Sequence, residues 1–107
     1  PVSAVYDETQ MKKAFLNILM NGIRYAESEI LIFCHAEGGN AVIKIQDDGD
    51  GIAEEDIKHI FDRFYIGKTG NTGIGLALTK EIVRLHKGNI RAYNSETGAV
   101  FEIKLPS

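Results

Sequence analysis

Ala41-Val42-Ile43-Lys44-Ile45-Gln46-Asp47-Asp48-Gly49-Asp50-Gly51-Ile52 is the stretch from which the fold of this chain can be read. Its first half is a β-strand by composition, and side chains in a strand alternate between faces. Ile43, Ile45 and Asp47 therefore share one face, while Val42, Lys44 and Gln46 share the other, wetter one. Asp47 ends the strand pointing where isoleucines point. A carboxylate in that position needs hydrogen-bond donors, because burying it unpaired costs several kcal/mol. Gly49 and Gly51 follow at alternate positions, where backbone without a Cβ allows close approach. An inward acceptor beside bare backbone suggests a pocket for a flat ligand carrying N–H groups. Taken alone, the stretch is also compatible with a plain acidic turn between a strand and a helix.

Working outward, Glu29 to Ala36 reads as a second strand, joined to Ala41–Asp47 through a Gly38-Gly39 hairpin. Apolar residues on both its faces, Ile30, Leu31, Ile32 and Phe33, predict a central strand. Upstream, Asp7 suits a helix N-cap, with Gln10 three residues on to complete a capping box. Met11, Ala14, Phe15, Ile18, Leu19, Ile23 and Ala26 then form an apolar helical stripe. Asn17, Asn21 and Arg24 stack on another face of that helix, a solvated face or a working one. Val2 to Tyr6 is a short alternation compatible with a first strand.

Downstream, Glu54, Glu55 and Asp56 favour the first turn of a helix, where carboxylates meet the positive end of the dipole. Ile57, Ile60, Phe61 and Phe64 would be its buried stripe. Tyr65 to Thr72, rich in breakers and poor in anchors, reads as a mobile loop. A third helix runs from Gly73 to a left-handed stop at Gly88. Ile90 to Asn94 and Ala99 to Leu105 then alternate as strands joined by a turn at Glu96-Thr97-Gly98. Phe101, Ile103 and Leu105 would face inward, with Glu102 and Lys104 outward.

At 107 residues, with 44% hydrophobic and 25% charged residues, the chain is one globular domain, residues 1–107. A net charge of −3 without a basic run argues against nucleic acid as partner. Cys34, the single cysteine, allows no intrachain disulfide and is expected to pack as a small reduced hydrophobe. No apolar run reaches the roughly 18 residues of a membrane span, so no membrane contact is expected of this stretch. The chain opens Pro1-Val2 without an initiator methionine, which leads us to expect a piece of a longer protein.

Several familiar motifs fail. Gly67-Lys68-Thr69 lacks the P-loop glycine five residues earlier, where Asp62 stands. Gly73-Ile74-Gly75 follows a helix and loop rather than the strand a dinucleotide fingerprint requires. Asp48 and Asp50 resemble an EF-hand start, but Ile52 and His59 occupy the next and closing ligand positions. His35, His59 and His86 show no metal-ligand spacing.

Four stretches remain: NILMNGIRYA, DDGDGI, IFDRFY and TGIGLALTKEIVRLHKG. In this order they resemble the N box, first glycine box, F box and second glycine box of sensor histidine kinases, and the likeness spans about residues 11 to 105. The resemblance implies an α/β (α+β) two-layer sandwich, with a mixed sheet of about five strands covered on one face by three helices. It implies ATP and Mg2+ as cofactors. Asp47 would accept from the adenine amino group, with Gly49 and Gly51 along the ring. Asn21 would ligate the metal, and Asn17 and Arg24 would contact phosphate or its water shell. Tyr25 would lie beside the nucleotide, and Gly73 and Gly75 would offer backbone N–H groups to the phosphates. Ile52, Thr72, Ile74 and Leu76 complete the implied ATP-binding positions, and Phe61 and Phe64 would plug the core under an ATP lid at Ile66 to Asn71. Many relatives carry Arg or Lys after the Phe-Tyr pair. This chain has Ile66 there, with Lys68 the nearest substitute.

Related ATPases of this superfamily carry a glutamate base one turn before the metal-binding asparagine. This chain has Asn17, which cannot deprotonate water. The resemblance therefore implies a protein-histidine kinase acting on a separate helical phosphoacceptor domain, with a response regulator downstream. A non-catalytic nucleotide module and a superfamily ATPase are the alternatives. None of the three histidines has the surroundings of a phosphoacceptor. The domain is expected to be monomeric and cytoplasmic, with any membrane anchor lying in segments outside this stretch.

Overall fold

A computed structural model describes residues 7–62 and 74–106. The order is α1 (Glu8–Tyr25), β1 (Ile30–Glu37), β2 (Asn40–Asp47), α2 (Glu54–Ile57), α3 (Ile74–Leu85), β3 (Asn89–Asn94) and β4 (Ala99–Pro106). Among the described residues the sheet has four strands in the order β1-β2-β4-β3, every pair antiparallel. The helices supply one layer and the sheet the other, as the α/β two-layer reading requires. The expected strand at Val2–Tyr6 lies outside the described residues, so about five strands becomes four here. Short turns make the β1–β2 and β3–β4 pairs antiparallel hairpins, whereas the antiparallel β2–β4 pair is closed by the long segment that carries α2, α3 and β3. Gly38 and Gly39 take φ of 55° and 85°, the two positive values of a tight hairpin turn.

The core lies between the layers. Met11, Ala14 and Ile18 of α1 and Leu76, Ile82 and Val83 of α3 meet Ala41, Ile45, Ile90, Phe101, Ile103 and Leu105 of the sheet. Fully burying one such large side chain stabilises by roughly 1.5–3 kcal/mol. Phe61 packs edge-on to Phe101 at 6.2 Å and 87°, as a core plug. Phe64 lies outside the described residues.

Several expectations change once the elements pack. Among the described residues β1 is an edge strand rather than a central one, with Leu31, Ile32 and Phe33 42%, 58% and 47% exposed. Cys34, on the same edge, is exposed rather than packed. Ile23 leaves the buried stripe and joins Leu16 and Met20 at i, i+4, i+7 as an exposed apolar row on α1. Val42 and Glu102 point away from the helices yet are 1% and 3% exposed. Glu102 is covered by Arg91, whose Nε lies 3.0 Å away, and by Lys44 at 3.7 Å. Arg91 first, then Lys44 and Lys104, hold its carboxyl below the usual range against the opposing effect of burial.

The helix ends differ in detail too. Asp7 Oδ1 caps α1 by accepting the Gln10 N–H at 3.0 Å. Asp7's own N–H goes to His86 Nε2 at 2.8 Å rather than back to Gln10, and His86 Nδ1 donates to the Ile82 carbonyl at 2.7 Å. One neutral imidazole thus ties the start of α1 to the end of α3. α2 spans only Glu54–Ile57, without a side-chain cap. The chain continues through i→i+3 bonds, His59 N–H to Asp56 O and Asp62 N–H to His59 O, because one helical turn returns few bonds for its nucleation cost. The end of α3 is a Schellman motif: Gly88 N–H bonds Val83 O and Lys87 N–H bonds Arg84 O, both at 2.9 Å. The left-handed residue is Lys87, φ 64°, not Gly88. Gly88 is bare for another reason, since a Cβ there would lie 2.5 Å from the Lys104 carbonyl oxygen.

Candidate functional site

The site grows from the end of β2. Asp47 pairs across the sheet with Ile30, faces the helices as the alternation requires, and is 5% exposed. Its Oδ1 accepts two backbone N–H groups, from Gly49 at 2.9 Å and from Ala99 at 3.3 Å. No described residue donates to Oδ2. A buried carboxylate half supplied with donors is poised to accept one more N–H from outside the chain.

Asp48 does different work. Its Oδ1 accepts the N–H groups of Glu27 at 2.8 Å, Ser28 at 2.9 Å and Glu29 at 3.2 Å, and its Oδ2 accepts the Ser28 hydroxyl. The Ser28 hydroxyl first, then the backbone donors, hold its carboxyl far below the usual carboxylate range. Asp48 thereby fastens the turn after α1 to the end of β2. Among the described residues no group of three or more His, Cys, Asp or Glu is disposed to hold a metal ion.

The loop beyond Asp48 is held by a residue that sequence reasoning passed over. Asn94, the last residue of β3, accepts the Ile52 N–H through Oδ1 and donates Nδ2–H to the Ile52 carbonyl, both at 2.8 Å. Gly51 beside it has φ 86°. Leu76, at the start of α3, is 4% exposed and packs in the core cluster. Asn17 is half-buried on α1, and its amide donates to Thr79 Oγ1 of α3 at 3.3 Å. Asn17 therefore faces the neighbouring helix, not open solvent.

Asn21, Arg24 and Tyr25 lie in the last two turns of α1, and Ile74 and Gly75 in the first turn of α3. The side chains of Asn21, Arg24, Tyr25 and Ile74 lie outside what is described, as do residues Lys68, Thr72 and Gly73 altogether. The described part brings Asp47, Gly49, Gly51 and Ile52 together at the strand end, with α1 packed against β2 and α3 packed beside α1.

Comparison with known proteins agrees with this architecture. Residues 6–107 match the family described as histidine kinase-, DNA gyrase B-, and HSP90-like ATPase. The chain belongs to this family. Within it, the chain is 41% identical over 100 residues to the sensor histidine kinase CssS of Bacillus subtilis, covering 94% of this chain and 22% of CssS. It is 38% identical over 102 residues to the heme sensor protein HssS of Staphylococcus epidermidis, covering 92% and 22%. The chain thus spans about a fifth of the length of these curated relatives. The catalytic domain of histidine kinase ThkA superposes with a TM-score of 0.86 at 29% identity, covering 96% of this chain and 70% of that one. Full-length ShkA in complex with AMPPNP superposes at 0.80 with 26% identity, covering 94% and 22%. The chain is a histidine kinase-type ATP-binding catalytic domain, α/β in fold, and no described helix is long and apolar enough to cross a membrane.

Proposed function

We propose that this domain binds Mg-ATP and transfers the γ-phosphoryl group to a histidine on a separate helical domain, as the catalytic part of a two-component sensor kinase. The observation that carries the reading is Asp47, whose Oδ1 is held by Gly49 and Ala99 and whose Oδ2 has no described donor. The adenine amino group is the matching N–H donor. Guanine presents an oxygen at that position, so like polarity excludes it. The likeness to ShkA, solved with AMPPNP, supports the same choice.

The donor set suits the remaining cofactor. Asn21, one helical turn after Asn17, would hold magnesium through its amide oxygen, a hard donor for a cation that keeps several waters. Bound there, magnesium supplies charge neutralisation at the phosphates. Asn17, Arg24 and Lys68 would orient the phosphates, and the Gly73 and Gly75 amides at the start of α3 would add the dipole of that helix. Tyr25, Ile52, Thr72, Ile74 and Leu76 would complete the nucleotide surroundings.

Phosphoryl transfer is mainly positioning and charge stabilisation, so an acceptor imidazole, already nucleophilic, needs little from a base. With Asn17 where related ATPases carry a carboxylate, and its amide turned to Thr79, this chain has no base for water at that position. Slow ATP hydrolysis follows. The partners are the helical phosphoacceptor domain of the same kinase and, downstream, a response regulator. We place the domain in the cytoplasm and expect it to be monomeric. The test mixes this domain with the separately produced acceptor domain of its own kinase and radiolabelled Mg-ATP. The expected product is acid-labile, base-stable phosphohistidine that disappears with Asn21→Ala. Label on serine or threonine, or brisk ATP turnover by the domain alone, would count against the reading.

A further inference from the structure

The β3–β4 hairpin contains none of the four sequence boxes, yet it touches the candidate adenine loop at both ends. At the far end, the Asn94 amide makes a two-point pair with the backbone of Ile52, accepting its N–H and donating to its carbonyl, each at 2.8 Å. This is the exchange that two neighbouring strands make, supplied here by a side chain. Only a primary amide offers an acceptor and a donor in that fork. At the near end, Gly98 lies against Asp47: a Cβ on Gly98 would come within 2.2 Å of the Asp47 carbonyl oxygen and 2.8 Å of Oδ1. Ala99, the next residue, donates its N–H to that same Oδ1.

The hairpin tip is itself fixed. Ser95 N–H bonds the Gly98 carbonyl at 2.7 Å, and Gln46 Nε2 reaches Thr97 Oγ1 at 2.6 Å. A rigid turn thus grips the start of the loop, and Asn94 grips its end. Between the grips, Gly49 N–H points at Asp47 Oδ1. Gly51 takes on a new meaning in this frame. Its φ of 86° already favours glycine, and a Cβ on it would in addition meet Asn94 Oδ1 at 2.7 Å, so Asn94 adds a close approach to that backbone strain.

We propose that Asn94 is a positioning residue of the nucleotide site: by clamping Ile52 it holds the Gly49–Gly51 backbone, and through the Gly49 N–H the Asp47 carboxylate, in the orientation that selects adenine. The inference rests on the reading of Asp47–Ile52 as the adenine site. A clamped acceptor costs no reorganisation when the base arrives, so loosening it should lower both affinity and base discrimination.

The experiment measures Mg-ATP and Mg-GTP affinity by calorimetry on the wild-type chain, Asn94→Ala and Asn94→Asp, together with hydrogen exchange at the Ile52 amide. Asn94→Ala is expected to weaken ATP binding about tenfold and to narrow the ATP/GTP ratio. Asn94→Asp keeps an acceptor for the Ile52 N–H but turns a second carboxylate oxygen on the Ile52 carbonyl, so it should weaken binding at least as much as Asn94→Ala, and Ile52 exchange should quicken in both. Gly51→Ala should cost less binding in the Asn94→Ala background than alone, because part of its clash has gone. Variants that melt earlier but keep wild-type affinity and base preference make Asn94 a fold residue only and overturn the inference. So does a Gly51→Ala penalty equal in both backgrounds. Absence of ATP binding by the wild-type chain overturns the nucleotide reading, and the role of Asn94 with it.

Discussion

Ser28 gives Asp48 three hydrogen bonds, its N–H shared between Oδ1 at 2.9 Å and Oδ2 at 3.1 Å and its hydroxyl to Oδ2, so that one carboxylate caps the whole turn between α1 and β1. The contact joins the helix that carries Asn17 and Asn21 to the strand that carries Asp47. It fixes the two halves of the candidate site relative to each other, at a position where the sequence shows only one more acidic residue in an acidic loop.

The first prediction concerns acid. Asp48 is held below its ordinary value by Ser28, and Glu102 by Arg91. Because these folded values are depressed, their stabilisation is present above the unfolded values of about 4 and is lost as pH falls below them. Urea midpoints should therefore be level from about pH 7 to 5 and fall towards pH 3. Asp48→Asn should lower the midpoint at pH 7, with the gap to wild type closing on acidification. A gap of constant size would show that the charge contributes nothing.

Asp47→Asn tests the adenine contact directly. The amide is a weaker acceptor and can turn its NH2 towards the base or towards the Gly49 and Ala99 donors. ATP affinity should drop by about 1.5–3 kcal/mol, roughly ten- to a hundredfold. Calorimetric titration with matched thermal melts separates this from unfolding, and an unchanged Kd would remove Asp47 from the site.

At the end of α3 the two neighbouring residues should respond in opposite senses. Lys87→Gly relieves a left-handed φ of 64° and should stabilise by about 0.5–1 kcal/mol. Gly88→Ala forces a methyl against the Lys104 carbonyl and Leu105, and should destabilise by about 1–3 kcal/mol. Chemical denaturation of both variants checks the pair. Gly88→Ala folding as stably as wild type would contradict the close approach to β4.

Hydrolysis gives the last prediction. Asn17→Glu places a carboxylate where related ATPases carry their base, and should raise the slow ATPase rate of the isolated domain by about 10²-fold or more. The same change breaks the amide contact to Thr79, so a thermal melt must accompany the rate. A rate no higher than wild type, in a folded variant that still binds ATP, would show that the missing base is not what limits hydrolysis.

What could be read from the sequence was whatever depends on near neighbours along the chain. The alternation Ile43, Ile45, Asp47 placed a carboxylate at the inward end of β2, where it is 5% exposed. Gly38-Gly39 announced its hairpin, and the helical periods of Met11 to Ile18 and Leu76 to Val83 announced the layer above the sheet. Four boxes in order pointed to the family. Tertiary structure decided which strand lies at the edge, and so left Leu31 to Cys34 exposed against their composition. It also decided why particular glycines are glycines: Gly98 yields to Asp47 and Gly88 to Lys104, while Asn94 crowds a Gly51 whose φ already favours glycine. The partners in the loop clamp are 42 residues apart, and Ala99 is 52 from Asp47. A residue's period or propensity encodes only its own helix or strand, whereas a bare Cα required by distant backbone becomes visible only when the sheet has closed and brought the two together.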